Sequence, residues 1–374
     1  MTNQVQTIFI CQFPMPFDKI ASWTTMYNYL LKKHNPFDYI ICPKPNKKAN
    51  SDYVYLRDIS LIDRIKNKVD NRSLYSNYIE ALKAVINKDK KYIIHIVDNS
   101  GVVLPIHSFL SDNFERKNFY IQYYYQGFNP IYSSVKGQNF IYALNEIFFL
   151  TGLSYKAFLG YYSDFTPKAR VLYNGTDSDK FKIVDNTIKV DLRTQFKIHG
   201  KMVFIWCSQD RPKKGLDFIL DVWKKLYSKY SDKIVLFVVG VNREIELEGV
   251  INVGRVPNHE LPKYYQMSDV YLFPSLWKEG FGIVLAEAIK CGCYVIASKQ
   301  GGIPEVLQFG KLGKLIENPN FEEEWLQAIE HVINDKTLLL ELKNDNNILN
   351  NLYDINDWSN KINSFITEAK ESIL

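Results

Sequence analysis

Two carboxylates eight positions apart, Glu279 and Glu287, frame the tripeptide Gly280-Phe281-Gly282. A β-rich run, Asp269–Phe273, and a turn at Pro274-Ser275 precede them; an apolar-periodic run, Ile283–Lys290, follows and halts at Gly292. Strand, glycine loop and helix in that order make an anion site. The first N–H groups of a helix lack intrahelical partners and carry partial positive charge, and Gly280 and Gly282 let a ligand approach the main chain closely. The two acids cannot themselves hold phosphate, because like charges repel. They are suited to accepting hydrogen bonds from hydroxyls on either side of one. Glu279 falls in the loop and Glu287 about one turn, ~6 Å, inside the helix. Sugar hydroxyls, a diphosphate and ribose hydroxyls follow one another in a nucleotide sugar in the same order. A dipole-complementing Glu279 and a surface Glu287 would explain each acid singly, but not the framed segment as a whole.

The elements that must position these residues repeat along the chain. In the first half, β-rich runs at Thr7–Cys11, Asp38–Cys42, Tyr92–Val97, Phe119–Tyr125, Glu146–Leu150 and Arg170–Tyr173 alternate with helical spacing. The stripe Ile20, Trp23, Tyr27, Leu30 and Leu31 makes one apolar face of a crossover helix. A turn signal, Asn174-Gly175-Thr176-Asp177, interrupts the pattern, and a polar stretch runs to about Gly200. A second series follows at Met202–Cys207, Ile234–Gly240, Val250–Gly254, Asp269–Phe273 and Tyr294–Ser298. The expected class is α/β: two Rossmann-like βαβ domains, residues 1–182 and 183–356, facing across a cleft, with a C-terminal helix at 357–374.

The motif E-x7-E with internal Gly-Phe-Gly, followed by Gly301-Gly302-Ile303-Pro304-Glu305, resembles the donor site of the family 4 retaining glycosyltransferases of GT-B fold. The resemblance implies that Glu279 contacts the transferred sugar, that Glu287 holds the ribose, and that main-chain amides of Phe281, Gly282, Ile283 and Val284 meet sugar and diphosphate. It also implies that the C-terminal helix returns to the first domain. The loop Ser208-Gln209-Asp210-Arg211-Pro212-Lys213-Lys214-Gly215 is similar to the family loop whose Arg and Lys neutralise the departing diphosphate. Lys214 matches the family lysine, while Arg211 is displaced from the usual position, which here is Gln209. The turn Gly254-Arg255-Val256 resembles the base-binding turn, where backbone groups meet the nucleobase; uridine is the default. No D-x-D stands where a divalent ion would clamp the diphosphate, in keeping with the family's metal-independent habit. No cofactor is implied beyond the sugar nucleotide as co-substrate.

The first half departs from the family. In place of a glycine pair after the first strand it reads Phe13-Pro14-Met15-Pro16-Phe17, and this segment through Ser22 and Trp23 is expected to shape an acceptor pocket. Gln126 stands where relatives have His and cannot titrate, so it is expected to hydrogen-bond sugar. Asp98 and Asn99, at the carboxyl end of a strand, are further acceptor contacts. His95, inside an apolar run, reads as a packed, hydrogen-bonded histidine, and Cys291-Gly292-Cys293 as small packing groups, with no second pair at finger-like spacing.

Composition limits the setting. The chain has 374 residues, 46% apolar, too long for one ordinary core and too apolar for disorder. No run approaches the ~18 apolar residues of a membrane span, and the N-terminus lacks a basic n-region. Five scattered cysteines suit a reducing compartment. Residues 1–182 hold 23 basic against 15 acidic side chains, so the first half is the basic one. Such a face attracts phosphorylated acceptors or anionic membrane. The expectation is a cytoplasmic, bacterial, retaining hexosyltransferase that uses a nucleotide sugar, UDP favoured, and contacts the inner face of the membrane peripherally. Its acceptor would be a glycan or lipid-linked glycan in lipopolysaccharide or capsule synthesis, with no nucleic-acid partner. A GT-B-like epimerase or phosphorylase and a non-catalytic sugar-nucleotide-binding subunit are the alternatives.

Overall fold

The computed structural model describes residues 5–17, 22–45, 52–58, 75–341, 349 and 351–374. The basic residues Lys47, Lys48, Arg64, Lys66 and Lys68 lie outside them. The chain divides into two compact units, Met1–Asn174 with Asn356–Leu374, and Gly175–Ile355.

The first unit is built on a parallel sheet of β1 (Val5–Ile10), β2 (Tyr39–Cys42), β3 (Tyr53–Tyr55), β4 (Lys91–Val97), β5 (Phe119–Tyr124), β6 (Glu146–Phe149) and β7 (Lys168–Val171), in the order 3-2-1-4-5-6-7. Apolar side chains such as Ile94, Ile121 and Ile147 fill one face and pack under Val103, Ile106 and Leu110 of the helix Val103–Asn113. The near-continuous β-branched and aromatic content of β4 and β5 is what a strand buried on both faces requires. The last strand is Lys168–Val171 instead of Arg170–Tyr173: it is an edge strand, partly exposed along its length, so its apolar pattern is weak.

A polar line crosses the other face. His95 is fully buried between Tyr27 Oη at 2.6 Å and Gln122 Oε1 at 3.0 Å. Burial lowers its pKa to about 4, so it is a neutral structural group. Gln122 Nε2 donates to Glu146, Glu146 pairs with Arg170, and Arg170 reaches Glu368 on the C-terminal helix Ile355–Ile373. With the Trp358 Nε1 to Tyr124 Oη bond at 3.2 Å, this line fastens that helix to the first unit.

The second unit repeats the topology with β8 (Met202–Cys207), β9 (Ile234–Val239), β10 (Val250–Gly254), β11 (Val270–Phe273), β12 (Tyr294–Ser298) and β13 (Gly313–Ile316), in the order 10-9-8-11-12-13. Its core joins Phe204, Trp206, Leu236 and Leu272 to Trp223 on the helix Leu216–Tyr230 and Trp325 on the helix Glu322–Asn334. In each unit the strand order reverses beside the first strand, between β1 and β4 and between β8 and β11. Ligands of such sheets bind at the carboxyl ends of those two strands. Among the described residues no helix is long and apolar enough to cross a membrane.

Candidate functional site

In the second unit, the loops leaving β8 and β11 bring Lys214 and Glu279 together, although 65 residues separate them: Lys214 Nζ donates to Glu279 Oε1 at 2.6 Å. Ser275 Oγ donates to the same oxygen at 2.8 Å. Both charged side chains are less than one-fifth exposed, in a setting where a charge interaction is stronger than at an open surface.

The backbone explains why they meet. Leu276 N–H donates to Lys213 O at 2.9 Å, docking one loop on the other. Gly215 has φ +72°, and a Cβ there would lie 1.9 Å from Pro274 O. Only glycine allows that approach. Gly302 N–H donates to Glu279 O at 2.8 Å, and a Cβ on Gly301, φ +61°, would lie 2.5 Å from that oxygen, so the Gly-Gly turn clasps the main chain of Glu279. Gly215→Ala is therefore expected to lower both the melting temperature and turnover, since it combines a left-handed conformation with a main-chain clash. Wild-type values for both would show that the two loops do not dock this way.

Gly282, φ +74°, caps the helix Ile283–Lys290. The N–H groups of its first turn, at Ile283 and Val284, open toward the loop, as helix geometry requires. Phe281 is buried, its ring edge-on to Tyr353 at 5.1 Å. Glu287, one turn in, is buried too, and its Oε2 has no hydrogen-bond partner. Burial pushes its carboxyl up to about 8. An acid in such surroundings awaits hydroxyl or amide donors. Gly254 ends β10 with φ +80°; its carbonyl accepts from Gly240 N–H at 2.7 Å, while Arg255 points into solvent and Val256 is half-buried.

Arg211 is exposed on the Lys214 loop, and among the described residues it has no ion-pair partner. Its neighbour Asp210 pairs instead with Arg243 at 3.0 Å, which also binds Asp217 on the helix Leu216–Tyr230. Ser275 and the Gly301 clasp escaped the sequence reading. Both lie inside the segment it singled out, read there only as turns.

The first unit presents its own pocket at the β1/β4 reversal, a cavity of about 1040 Å³ lined by Gln12, Asp98, Asn99, Ser100, Tyr132 and Lys136 among others. Asp98 sits at φ +50°, a strained conformation for a non-glycine residue. Burial raises its carboxyl to about 6, against a hydrogen bond with Trp23 that lowers it. Gln12 Nε2 donates to Asp98 O at 3.1 Å, and Asn99 Nδ2 to Tyr78 Oη at 3.2 Å. Gln126 accepts weakly from Asn174 at 3.5 Å, and its buried Nε2 has no partner. Gln126 does not line the cavity with Asp98 and Asn99. Ser22 opens the helix Ser22–His34. Among the described residues no group of three His, Cys, Asp or Glu side chains is placed to hold a metal ion.

Residues 189–351 match the family model described as glycosyl transferases group 1. The chain is 26% identical over 311 residues to an uncharacterized 41.2 kDa protein in the cps region of Klebsiella pneumoniae, covering 80% of this chain and 83% of that one. It is 29% identical over 179 residues, 43% of this chain and 46% of the other, to a GDP-mannose-dependent alpha-(1-6)-phosphatidylinositol monomannoside mannosyltransferase of Mycolicibacterium smegmatis. Similar solved structures include Anabaena HepE in complex with UDP-glucose, with TM-score 0.72, 16% identity, and 97% and 100% of the two chains covered. Sucrose-phosphate synthase from Thermosynechococcus elongatus aligns with TM-score 0.70, 18% identity, and 97% and 99% covered.

Proposed function

We propose that this chain, whose fold is that of the GT-B proteins, is a group 1 glycosyl transferase and moves a hexose or N-acetylhexosamine with retention from a nucleotide-diphosphate sugar to a glycan or lipid-linked glycan. The observation that carries the reading is the buried, unpartnered Glu287 Oε2 one turn behind a glycine-capped helix start, with the Lys214–Glu279 pair in front of it. Diphosphate oxygens take the helix N–H groups of Ile283 and Val284 and the ammonium of Lys214. The ribose hydroxyls donate to Glu287. Glu279 turns from Lys214 to the hydroxyls of the transferred sugar. The turn Gly254–Val256 offers main-chain groups to the base, and Arg211, free to swing, adds a second cation to the leaving phosphate.

As the bond from the anomeric carbon to the phosphate oxygen breaks, the acceptor hydroxyl forms the new bond on the same face. Its proton passes to the departing phosphate oxygen. Leaving-group stabilisation by fixed charges carries the catalysis, so no titrating residue at Gln126 and no metal ion are needed. The acceptor occupies the first unit's cavity, where Asp98 and Asn99 take its hydroxyls. The cps-region relative supports a surface-polysaccharide setting, and the UDP complexes of HepE support a uridine donor. An anionic membrane face would be met by the basic first half.

The test is a melting-temperature screen across UDP, GDP and ADP, followed by radiolabelled donor with candidate acceptors and determination of the product's anomeric configuration. A ligand that prefers the folded chain raises its melting temperature. No shift with any nucleoside diphosphate, or a product of inverted configuration, would sink the reading. Binding without transfer or slow donor hydrolysis would indicate a non-catalytic subunit.

A further inference from the structure

The C-terminal end of the donor helix holds a lysine where the surrounding pattern is apolar. Lys290 is fully buried, yet Nζ donates to Leu352 O at 2.8 Å and to Leu349 O at 3.4 Å. A buried ammonium costs far more than an apolar side chain of similar length, so packing alone does not account for it. Leu352 leads directly into Tyr353, which sits at φ +53°. Tyr353 places its ring edge-on against Phe281 at 5.1 Å and donates its hydroxyl to Val306 O at 2.9 Å. Its own carbonyl accepts from Thr176 N–H at 2.7 Å, and Ile355 N–H donates to Thr176 O at 3.0 Å. One short segment thus touches both ends of the helix, through Lys290 at the last residue and Phe281 just ahead of the first.

From these contacts we infer that Lys290 and Tyr353 are positioning residues for the nucleotide site: Lys290 pins Leu349 and Leu352 so that the Tyr353 ring holds Phe281, and with it the main chain at the helix start, in the conformation that receives a diphosphate. The inference rests on the proposed donor site and deepens it. A lysine in this place is set among Asp354, Asp177 and Cys291, and burial lowers its pKa to about 8 against the pull of those two aspartates. Glu287 stands three residues before it on the same helix. The cation therefore fades as pH rises through that value, and its contacts with Leu349 O and Leu352 O weaken with it.

The experiment uses the full-length protein, with UDP and GDP as probes and calorimetry as the readout, taking whichever nucleotide the wild type binds more tightly. Lys290→Met and Tyr353→Ala should each weaken binding about tenfold, and the double variant little more than either, because both act through Phe281. Tyr353→Phe keeps the ring and should bind like the wild type. Should Lys290→Met not fold, Tyr353→Ala and Tyr353→Phe carry the test. Wild-type affinity in folded Lys290→Met or in Tyr353→Ala, with Glu287→Ala impaired, overturns the positioning role alone. Normal binding by Glu287→Ala overturns the donor site itself, and the positioning role falls with it.

Discussion

Alanine at Glu279 or at Lys214 lowers turnover by about a hundredfold or more, the loss expected when one preorganised stabiliser is removed from a reaction that develops charge on its leaving group. The two variants lose it differently. Lys214→Ala removes the cation proposed to meet the diphosphate, so its loss appears mainly in kcat. Glu279→Ala removes the proposed acceptor for the transferred sugar and also frees Lys214 from its 2.6 Å partner. The side chains share one oxygen with Ser275 Oγ, so their effects are not additive, and the double variant falls well short of the product of the single losses. Ser275→Ala, which removes only the third partner, has a smaller effect. Steady-state kinetics with the identified donor measure all four. Near-normal transfer by both single variants would mean that the pair does not serve the reaction.

A second large effect is predicted at Glu287, in opposite directions for stability and binding. An unfolded glutamate ionises near 4.5, whereas here burial holds the carboxyl to about 8. Between those values the folded chain keeps a proton that the unfolded chain has released, so stability falls as pH rises through this window. Glu287→Gln removes that dependence. Without nucleotide the variant is more stable than wild type by roughly 1–3 kcal/mol at pH 7.5, and the gap narrows toward pH 5. With nucleotide the order reverses. A ribose diol donating to an ionised Glu287 makes charge-assisted bonds that an amide cannot match, which is worth about ten- to hundredfold in affinity. Wild-type binding should accordingly release a proton below pH 8 and tighten as pH rises toward it. Calorimetry in buffers of different ionisation enthalpy reads the proton directly. A Glu287→Gln protein that is less stable and binds as well as wild type would remove this residue from the site.

Much of the donor segment was legible because its chemistry is local. A strand, a glycine that must adopt positive φ at Gly282, an eight-residue apolar helix and the stop at Gly292 are all set by neighbours in the chain. The strands bearing the site were legible for the same reason: strands buried on both faces demand continuous β-branched or aromatic residues, as in Met202–Cys207. Tyr53–Tyr55 and Gly313–Ile316 escaped notice. The first is only three residues long, despite its strand-favouring types, and the second hides among glycine and lysine, with pairing to β12 rather than propensity holding it in place.

Residue type and spacing alone determined that Glu279 and Glu287 flank a glycine-led helix start, and that the sheets are parallel and helix-covered. Only the tertiary structure decided that Lys214, not Arg211, meets Glu279; that Glu287 and Lys290 are buried; and that a strained Asp98 lines a cavity. The division has a physical cause. Backbone conformation and helix capping depend on a few consecutive residues, whereas the charge a carboxylate or ammonium feels depends on which distant strands lie beside it and how much water they exclude.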